Sequence, residues 1–312
     1  MDIVIIGAGA MGCLFGALLA PHTTNLTMYC RQERVARLLR TRGIILQRMD
    51  GTQSHVRVKT ISNIDNAPLK SFDYAIICTK AHASGDAGAI AQALLRSQGM
   101  ALTLQNGLGN RECIAEYVGI ERTVVGITAQ ASTLLGPGRV RHAGAGQTFI
   151  APDGGQQRRQ SFGLVALFNE AGIDTMVEED IDALLWSKLI VNAGINALAA
   201  LLRVPNGVLA VDSGCRTMMA QVVDEAVQVA QALNITIPYK NPFNHVLEVC
   251  AQTATNRAST LQDILHQTHT EVEVINGAIA RLGLLNNVPT PMNSLLTQLV
   301  KALETTASER VA

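Results

Sequence analysis

The sequence predicts an α/β domain followed by an all-helical C-terminal domain, and three observations support this fold class. Short apolar strands alternate with helices through the first half of the chain, which is typical of a parallel sheet covered on both faces. A glycine-rich turn follows the first strand. Beyond about residue 180 only helical periodicities recur. We therefore predict two domains, 1–179 and 180–312.

The first half has short connections between its elements. A hairpin is predicted over 44–62, because Asp50-Gly51 is a dipeptide typical of tight β-turns. Predicted strands occupy 3–7, 25–30, 72–79 and 100–106, predicted helices begin near 9, 32 and 85, and one more helix and strand follow within 156–179.

The second half is predicted to be helical throughout. Prolines and glycines separate its apolar-periodic segments, as in the Pro-Thr-Pro run of 289–291. Predicted helices occupy 180–202, 212–233, 242–252, 259–282 and 291–307.

The composition excludes several classes of protein. Hydrophobic residues make up 48% of the chain and charged residues 16%, so a sizeable core is available. The formal net charge is zero, which offers no overall field for nucleic acid or an anionic membrane. The six scattered cysteines include no CxxC pair, the N-terminus lacks a basic leader, and no uninterrupted apolar run reaches about 18 residues. We expect a reduced, soluble, cytoplasmic protein, either a monomer or a homodimer.

The first strand leads into a G-x-G-x-x-G loop that opens a helix. Such glycines permit the tight turn, the approach of backbone to a pyrophosphate, and close packing of helix on strand. The helix N-terminus adds N–H donors and a favourable dipole. This context predicts a Rossmann-type dinucleotide-binding domain; the alternative is a tight turn that binds nothing. The predicted cofactor-binding loop comprises Gly7, Ala8, Gly9, Ala10, Met11 and Gly12.

The end of the second strand indicates which dinucleotide binds. A site that prefers NAD usually has Asp or Glu about 20 residues after the glycines. Here Arg31 takes that place, and a guanidinium suits the 2′-phosphate of NADP. We therefore predict NADP (NADPH) as cofactor. The alternative is a solvated basic helix face, which better describes Arg37 and Arg40.

Two further polar residues follow predicted strands. Lys80 comes after 72–79 and Asn106 ends 100–106, so both lie at the carboxyl edge where open parallel sheets bind ligands. Each signal alone is weak, because a lysine at a strand end is often solvated and Asn-Gly is often a turn.

The segment WSKLIVNAGINALAALL (186–202) raises a different question. Lys188, Asn192 and Asn196 recur every fourth residue, so they share one stripe of a helix whose other sides are apolar. A largely buried helix with such a stripe is consistent with a ligand site. The alternative is a lysine whose stem packs on apolar neighbours while two asparagines make packing contacts.

These segments together resemble the ketopantoate reductase (2-dehydropantoate 2-reductase) family over nearly the whole chain. The resemblance rests on GAGAMG, Cys30-Arg31, CTKAH, LQNGLGN, SKLIVNAGINAL, ASTLQDILHQTHTEVEVINGAI and VPTPMNSLL, in that order. It implies an NADP-binding Rossmann domain, a helical domain, and NADPH-dependent reduction of the 2-oxo acid 2-dehydropantoate to (R)-pantoate, a step toward pantothenate and coenzyme A.

The resemblance also implies roles for individual residues. Lys188 would be the general acid, with Glu271 completing the catalytic site. Asn192, Asn196 and Ser259 would bind substrate, with Ser259 also a possible helix N-cap. Asn106 and Lys80 match positions near the nicotinamide and substrate, and Arg31 matches the ligand of the 2′-phosphate.

Some alternatives stay open. Asp263 and Glu273 rival Glu271 as the partner that a buried Lys188 needs. Gln130 stands where some members carry His, so another branched 2-oxo acid is a possible substrate. A non-catalytic NADPH sensor is a third possibility. His266 and His269 lack a third ligand, and we predict no metal site.

Overall fold

The computed structural model describes residues 1–152 and 155–309, and the chain forms two compact units. The first contains Met1–Gln105 and Asn110–Ile181, and the second contains Asn106–Gly109 and Asp182–Ala312. The four residues Asn106–Gly109 therefore belong with the C-terminal unit, although they follow a strand of the first.

Within the described residues, the first unit contains the strands and five α-helices. The strands are β1 (Asp2–Ile6), β2 (Asn25–Tyr29), β3 (Ile44–Gln47), β4 (Gln53–Val56), β5 (Lys59–Ile61), β6 (Phe72–Ile77), β7 (Leu95–Thr103), β8 (Thr123–Thr128), β9 (Ala131–Gly136), β10 (Arg139–Gly144), β11 (Thr148–Ala151) and β12 (Thr175–Val177). The helices are α1 (Ala10–Leu19), α2 (Glu33–Arg42), α3 (Ser84–Leu94), α4 (Asn110–Val118) and α5 (Gly155–Glu170).

The larger sheet has the order β12-β11-β8-β7-β6-β1-β2-β5. The six strands from β8 to β5 are parallel, and β11 pairs antiparallel with β8. Taken in chain order, those six strands have the 3-2-1-4-5-6 arrangement of the Rossmann fold. The predicted α/β class with a Rossmann-type N-terminal part is confirmed.

Both faces of this sheet are covered. Because side chains alternate along a strand, β1 contributes to two separate cores, one on each face. One core includes Ile3, Ile5, Phe15 and Phe168, and the other includes Val4, Ile6, Ala87 and Ile114. This explains why the strand IVIIG has no polar position.

A smaller sheet has the order β4-β3-β10-β9. The predicted hairpin is present as the antiparallel pair β3–β4, with Gly51 in the left-handed region (φ 84°) at its turn. The prediction that this hairpin extends through residue 62 is wrong. Strand β5 leaves it and pairs parallel with β2, with Thr27 opposite Lys59. The short connection between β4 and β5 therefore links an edge strand of the smaller sheet to an edge strand of the larger sheet.

The second unit is helical, as predicted. Its helices are α6 (Ile181–Leu202), α7 (Asn206–Val211), α8 (Ser213–Ala232), α9 (Pro242–Gln252), α10 (Ser259–Leu265), α11 (Asn276–Leu285) and α12 (Pro291–Thr305). Helix α6 contributes Trp186, Leu189, Ile190 and Ala193 to a core shared with α8, α9, α11 and α12. By length and composition alone α6 could cross a membrane, but 67% of its most apolar window is buried inside the protein, as expected of a core helix.

The predicted helix over 259–282 is wrong, because the segment breaks twice. Gln267 takes the left-handed conformation (φ 54°), and the Thr268 N–H donates to the carbonyl of Asp263 as in a helix-terminating motif. A short 3₁₀ turn at Val272–Val274 precedes α11. No glycine marks the first break, so no sequence pattern predicts it. As a result Glu271 lies in an irregular segment between helices.

Candidate functional site

The glycine-rich loop of the first unit is held by backbone contacts. Gly7 has a φ of 112°, and its N–H donates to the carbonyl of Tyr29 at the end of β2. A Cβ at Gly12 would overlap the carbonyl oxygen of Gly7. Any side chain at Gly12 would therefore push α1 away from the loop.

The second glycine of the loop has a different environment. Among the described residues, no atom beyond Gly9 and its chain neighbours lies within 4 Å of the position that a Cβ on Gly9 would occupy. Gly9 is also the N-cap of α1, whose first turn contains no acidic residue. The loop therefore presents open backbone beside a helix N-terminus, which suits an anion such as a pyrophosphate.

The other predicted cofactor residues of the first unit lie just beyond strand ends. Arg31 is exposed and follows Cys30, whose N–H donates to the carbonyl of Ile61 on β5. Lys80 is half-buried, and its carbonyl accepts from the N–H of Ala83 in a 3₁₀ turn after β6. Both residues lie at the carboxyl edge of the parallel sheet, the same edge as the glycine-rich loop.

One polar cluster at this edge is not predicted by any sequence pattern. The Gln105 amide donates to the carbonyl of Thr79 (3.0 Å) and to the Ser84 hydroxyl (3.0 Å), and it accepts from Thr103 (2.9 Å). The Ser84 hydroxyl in turn donates to Asn110 at the start of α4 (2.9 Å). The cluster joins the ends of β6 and β7 to α3 and α4. Gln105 lies inside the LQNGLGN motif, but nothing in its spacing revealed these partners.

Gln130 is buried at the carboxyl end of β8. Its amide nitrogen donates to the carbonyl of Gly146 (2.6 Å), and its amide oxygen contacts the His142 ring (2.7 Å). Burial lowers the pKa of His142, an effect that a backbone hydrogen bond at Gly144 partly opposes. Both ends of the Gln130 amide are therefore engaged within the first unit.

In the second unit, α6 carries the stripe of Lys188, Asn192 and Asn196. Asn196 is buried, whereas Lys188 and Asn192 are half-buried. The stripe therefore does not face open solvent along its length. Four-residue spacing on a straight helix places the three side chains in one row.

The Asn196 amide donates to the hydroxyl of Ser259, with 3.4 Å between the heavy atoms. Ser259 is the first residue of α10, whose N-cap is Ala258. No side chain caps this helix, so the suggestion that Ser259 is its N-cap is wrong. The hydroxyl instead faces the polar stripe of α6.

Glu271 is buried, with 6% of its surface exposed, and lies directly before the Val272–Val274 turn. Its carboxylate accepts a hydrogen bond of 3.1 Å from the Asn106 amide, a residue 165 positions earlier in the chain. Glu273, one of its rivals, is exposed and pairs with Lys301 instead. Glu271 is also the carboxylate whose charge acts on Lys188.

The segment around Asn106 is fixed against the same turn. The Leu108 N–H donates to the carbonyl of Val274 (3.0 Å). Gly107 has a φ of 84°, and a Cβ there would overlap that same carbonyl oxygen. A glycine is therefore required for the segment to approach closely enough to bring Asn106 to Glu271.

The electrostatics of Lys188 follow from these neighbours. Burial lowers the pKa of Lys188 from 10.5 to about 8, and the nearby Glu271 carboxylate opposes that shift. A lysine with a pKa near the working pH can both carry a proton and release it. The arrangement can therefore serve proton transfer beside polar donors.

A second buried polar network lies behind α6. The Asn276 amide donates to the carbonyl of Ala193 (3.2 Å) and to Asn293 (3.0 Å). Asn293 donates to the Glu225 carboxylate (2.8 Å), which also accepts the backbone N–H of Met292 (2.7 Å). Glu225 thereby caps the N-terminus of α12, and the network ties four helices together. No sequence pattern predicts this network, since each of its residues lies among apolar positions of a different helix.

No group of three or more His, Cys, Asp or Glu within residues 1–152 and 155–309 is arranged to hold a metal ion.

The chain matches known proteins over nearly its full length. The family model described as ketopantoate reductase PanE/ApbA matches residues 3–155, and the model of the family's C-terminal part matches residues 180–304. The chain is 32% identical to a 2-dehydropantoate 2-reductase of Halobacterium salinarum and 34% identical to one of Pyrococcus horikoshii. These alignments cover 96% and 97% of this chain, respectively, and 98% of each relative.

Solved structures agree with the sequence comparisons. A PanE/ApbA family ketopantoate reductase from Ralstonia eutropha JMP134 superposes with a TM-score of 0.90 at 26% identity, covering 99% of this chain and 100% of the other. A ternary complex of D-mandelate dehydrogenase with NADH and anilino(oxo)acetate gives the same four values. With both family models matched in order, the chain belongs to the ketopantoate reductase family of dinucleotide-dependent oxidoreductases.

Proposed function

We propose that this chain is an NADPH-dependent 2-dehydropantoate 2-reductase, which reduces ketopantoate to (R)-pantoate for pantothenate and coenzyme A synthesis in the cytoplasm. One observation carries the proposal. Lys188, in the polar stripe of α6, lies within the influence of the buried Glu271 carboxylate, which accepts from the Asn106 amide, and relatives in this family bear that enzyme name. The residues of the stripe and of the Asn106 segment supply neutral donors around it.

The glycine-rich loop suits the cofactor. Gly9 leaves its backbone uncovered, and the first turn of α1 has no carboxylate to repel a pyrophosphate. Gly7, Ala8, Gly9, Ala10, Met11 and Gly12 would hold the pyrophosphate, with Lys80 and Asn106 toward the nicotinamide. When bound, the reduced dinucleotide supplies the hydride for the 2-oxo carbon.

Lys188 is the general acid in this proposal. As the carbonyl carbon accepts the hydride, negative charge develops on its oxygen, and the Lys188 ammonium stabilises that charge and transfers a proton to it. The neutral lysine then recovers a proton from solvent. A donor placed on a developing oxyanion contributes about 2.7–4 kcal/mol to the transition state.

The remaining polar side chains bind and orient the substrate. Ser259 would donate to the substrate carboxylate, while Asn192 and Asn196 hold the acid with neutral amides that add no further positive charge. Glu271 keeps Lys188 protonated, since its negative charge favours the ammonium form. Asn106 fixes the Glu271 carboxylate through the 3.1 Å hydrogen bond.

The preference for NADPH is assigned to Arg31. Arg31 is exposed immediately after β2, where a guanidinium can pair with a 2′-phosphate. Arg31→Ala should weaken NADPH binding much more than NADH binding. Arg37→Ala, an exposed arginine further along α2, is the matched control and should change neither. Equal losses for both cofactors in Arg31→Ala would show that another group binds the phosphate.

A panel of 2-oxo acids tests the substrate. Oxidation of NADPH would be followed with ketopantoate, 2-oxoisovalerate and pyruvate, and kcat/KM compared. The proposal expects ketopantoate to be turned over fastest. Turnover of ketopantoate no faster than 2-oxoisovalerate or pyruvate would contradict it.

A second candidate is reduction of a different 2-oxo acid, and the likeness to D-mandelate dehydrogenase favours including it. That structure holds NADH and an aryl-substituted oxo acid, with 26% identity to this chain. Phenylglyoxylate, the 2-oxo acid of mandelate, therefore belongs in the panel with both cofactors. Absence of turnover with any substrate would favour a dinucleotide-binding sensor.

A further inference from the structure

Glu304 occupies an unusual place near the end of α12. Its carboxylate side chain is only 17% exposed, although it lies in the last turn of the helix. The dipole of a helix disfavours negative charge at the C-terminus, and burial adds a desolvation cost. A carboxylate at this position therefore needs strong hydrogen-bond donors.

Those donors come from the irregular segment that carries Glu271. The backbone N–H of Thr270 donates to Glu304 Oε1 at 2.8 Å, and the His269 ring lies 3.4 Å from Glu304 Oε2. Thr270 directly precedes Glu271 in the chain. A charged acceptor makes the stronger class of hydrogen bond to a backbone N–H.

The segment needs such a tertiary anchor because it is not helical. After the left-handed Gln267, the Thr268 side chain and N–H bond to Asp263, and the next regular turn starts only at Val272. Between these points, Glu304 accepts from the backbone N–H of Thr270, and Asn106 donates to the carboxylate of the next residue, Glu271.

We propose that Glu304 is a positioning residue for Glu271, holding the backbone at Thr270 so that the Glu271 carboxylate stays beside Asn106 and Lys188. The inference rests on the proposed function, which assigns Glu271 and Lys188 their roles. The proposed role of Glu304 involves no contact with substrate or cofactor.

Several charged groups act on Glu304 or on Lys188, and a test has to distinguish their effects. His269 and Lys301 are the basic groups that act with Glu304, and Lys301 also pairs with the exposed Glu273. Around Lys188 the acting carboxylate is Glu271. Because Glu271 favours the ammonium form, its displacement would make Lys188 lose its proton at lower pH.

Three variants make the comparison. Glu304→Ala removes the acceptor, Glu304→Gln keeps an oxygen for the Thr270 N–H, and Gln298→Ala changes an exposed residue of the same helix as the control. We expect Glu304→Ala to lower kcat about tenfold to a hundredfold, as misplaced catalytic groups do, and to move the alkaline limb of the pH–rate profile to lower pH. Glu304→Gln and Gln298→Ala should keep the wild-type profile.

These measurements distinguish positioning by Glu304 from a purely structural role and from failure of the proposed function. Unchanged kcat and pH profile in a folded Glu304→Ala would overturn the inference, whatever its thermal midpoint. Should that variant not fold, Glu304→Asp, which withdraws the carboxylate by one methylene, should show the same displaced limb; a wild-type limb would overturn the inference. If the wild type turns over no 2-oxo acid, the proposed function fails. The pKa of Lys188, followed by NMR of the dimethylated lysine, then still tests positioning: Glu304→Ala should lower it, and an unchanged value would contradict the inference.

Discussion

The glycine-rich loop of the first unit and the Lys188 region of the second are built in opposite ways. The loop comprises six consecutive residues, in which the glycines matter because they have no side chain. Gly9 leaves open backbone, and Gly12 leaves room for the carbonyl of Gly7. The Lys188 region consists of side chains contributed by separate segments. They come from Asn106, from α6, from Ser259 and from Glu271.

This difference determines how each region tolerates change. A backbone site fails when atoms are added, because its geometry depends on close approach. A side-chain site fails when functional groups are removed or lose their supports. Substitutions can therefore separate binding of the dinucleotide from the chemistry at Lys188.

The largest expected effect comes from adding one methyl group to the loop. Gly12→Ala places its Cβ onto the Gly7 carbonyl oxygen, so α1 must shift away from the loop. Overpacking of this kind destabilises a fold by about 1–3 kcal/mol. We expect a lower thermal midpoint together with loss of NADPH binding measured by fluorescence titration.

Gly9→Ala is the matched control, since among the described residues no atom beyond Gly9 and its chain neighbours lies within 4 Å of its Cβ position. Its free energy of unfolding should change by no more than about 0.5 kcal/mol, as for exposed substitutions, while NADPH binding weakens. Unchanged affinity in a stable Gly9→Ala would show that the pyrophosphate does not approach this backbone.

The next effect is on pH dependence. We expect this because the proposed general acid, Lys188, would have to be protonated to act. Its pKa is about 8, so kcat should fall as pH rises through about 8, approaching tenfold for each further pH unit. The pH–rate profile measured at saturating NADPH checks this. A flat profile between pH 7 and about 10 would exclude Lys188 as the titrating acid.

Glu271→Gln should shift the same pH–rate profile. The substitution keeps the shape of the side chain but removes the negative charge that favours the ammonium form of Lys188. The alkaline limb of the variant should therefore lie at lower pH than that of the wild type. Glu273→Gln, whose carboxylate instead pairs with Lys301, serves as the control. A limb that moves equally in both variants would contradict the assignment of Glu271.

The smallest effect on folding stability is expected at Ser259. Its hydroxyl faces Asn196 and does not cap α10, so Ser259→Ala should leave helix stability nearly unchanged. Loss of one hydrogen bond to a charged carboxylate would weaken binding of the 2-oxo acid by about 1.5–3 kcal/mol, and KM should rise accordingly. A steady-state titration of the substrate measures this. An unchanged KM would show that Ser259 does not contact the carboxylate.

The sequence predicts the features that local patterns determine, and it does not predict those that depend on long-range contacts. The Rossmann sheet was predictable because apolar runs and glycine spacing are local signals, and the hairpin at Asp50 followed from its turn dipeptide. The break at Gln267 was not predictable, since a non-glycine residue takes the left-handed conformation there. The departure of β5 to the larger sheet depends on pairing with β2, which no local pattern reveals.

For the candidate site, helix geometry predicted that Lys188, Asn192 and Asn196 share a face. It could not predict that Asn106 would meet Glu271 across 165 residues, because that contact depends on the approach of Gly107 to Val274. Nor did it reveal the supports at Glu304 and Glu225, whose partners are mostly backbone N–H groups.

The role of Lys188 is tested most directly by measuring binding and chemistry on the same protein. NADPH affinity and the rate of NADPH oxidation with ketopantoate would be determined for the wild type and Lys188→Ala. We expect similar NADPH affinity for both and a kcat about a hundredfold to a thousandfold lower in the variant, the usual cost of removing one oxyanion donor. Turnover of ketopantoate by the variant at the wild-type rate, or a wild type that does not oxidise NADPH with it, would contradict the proposed function.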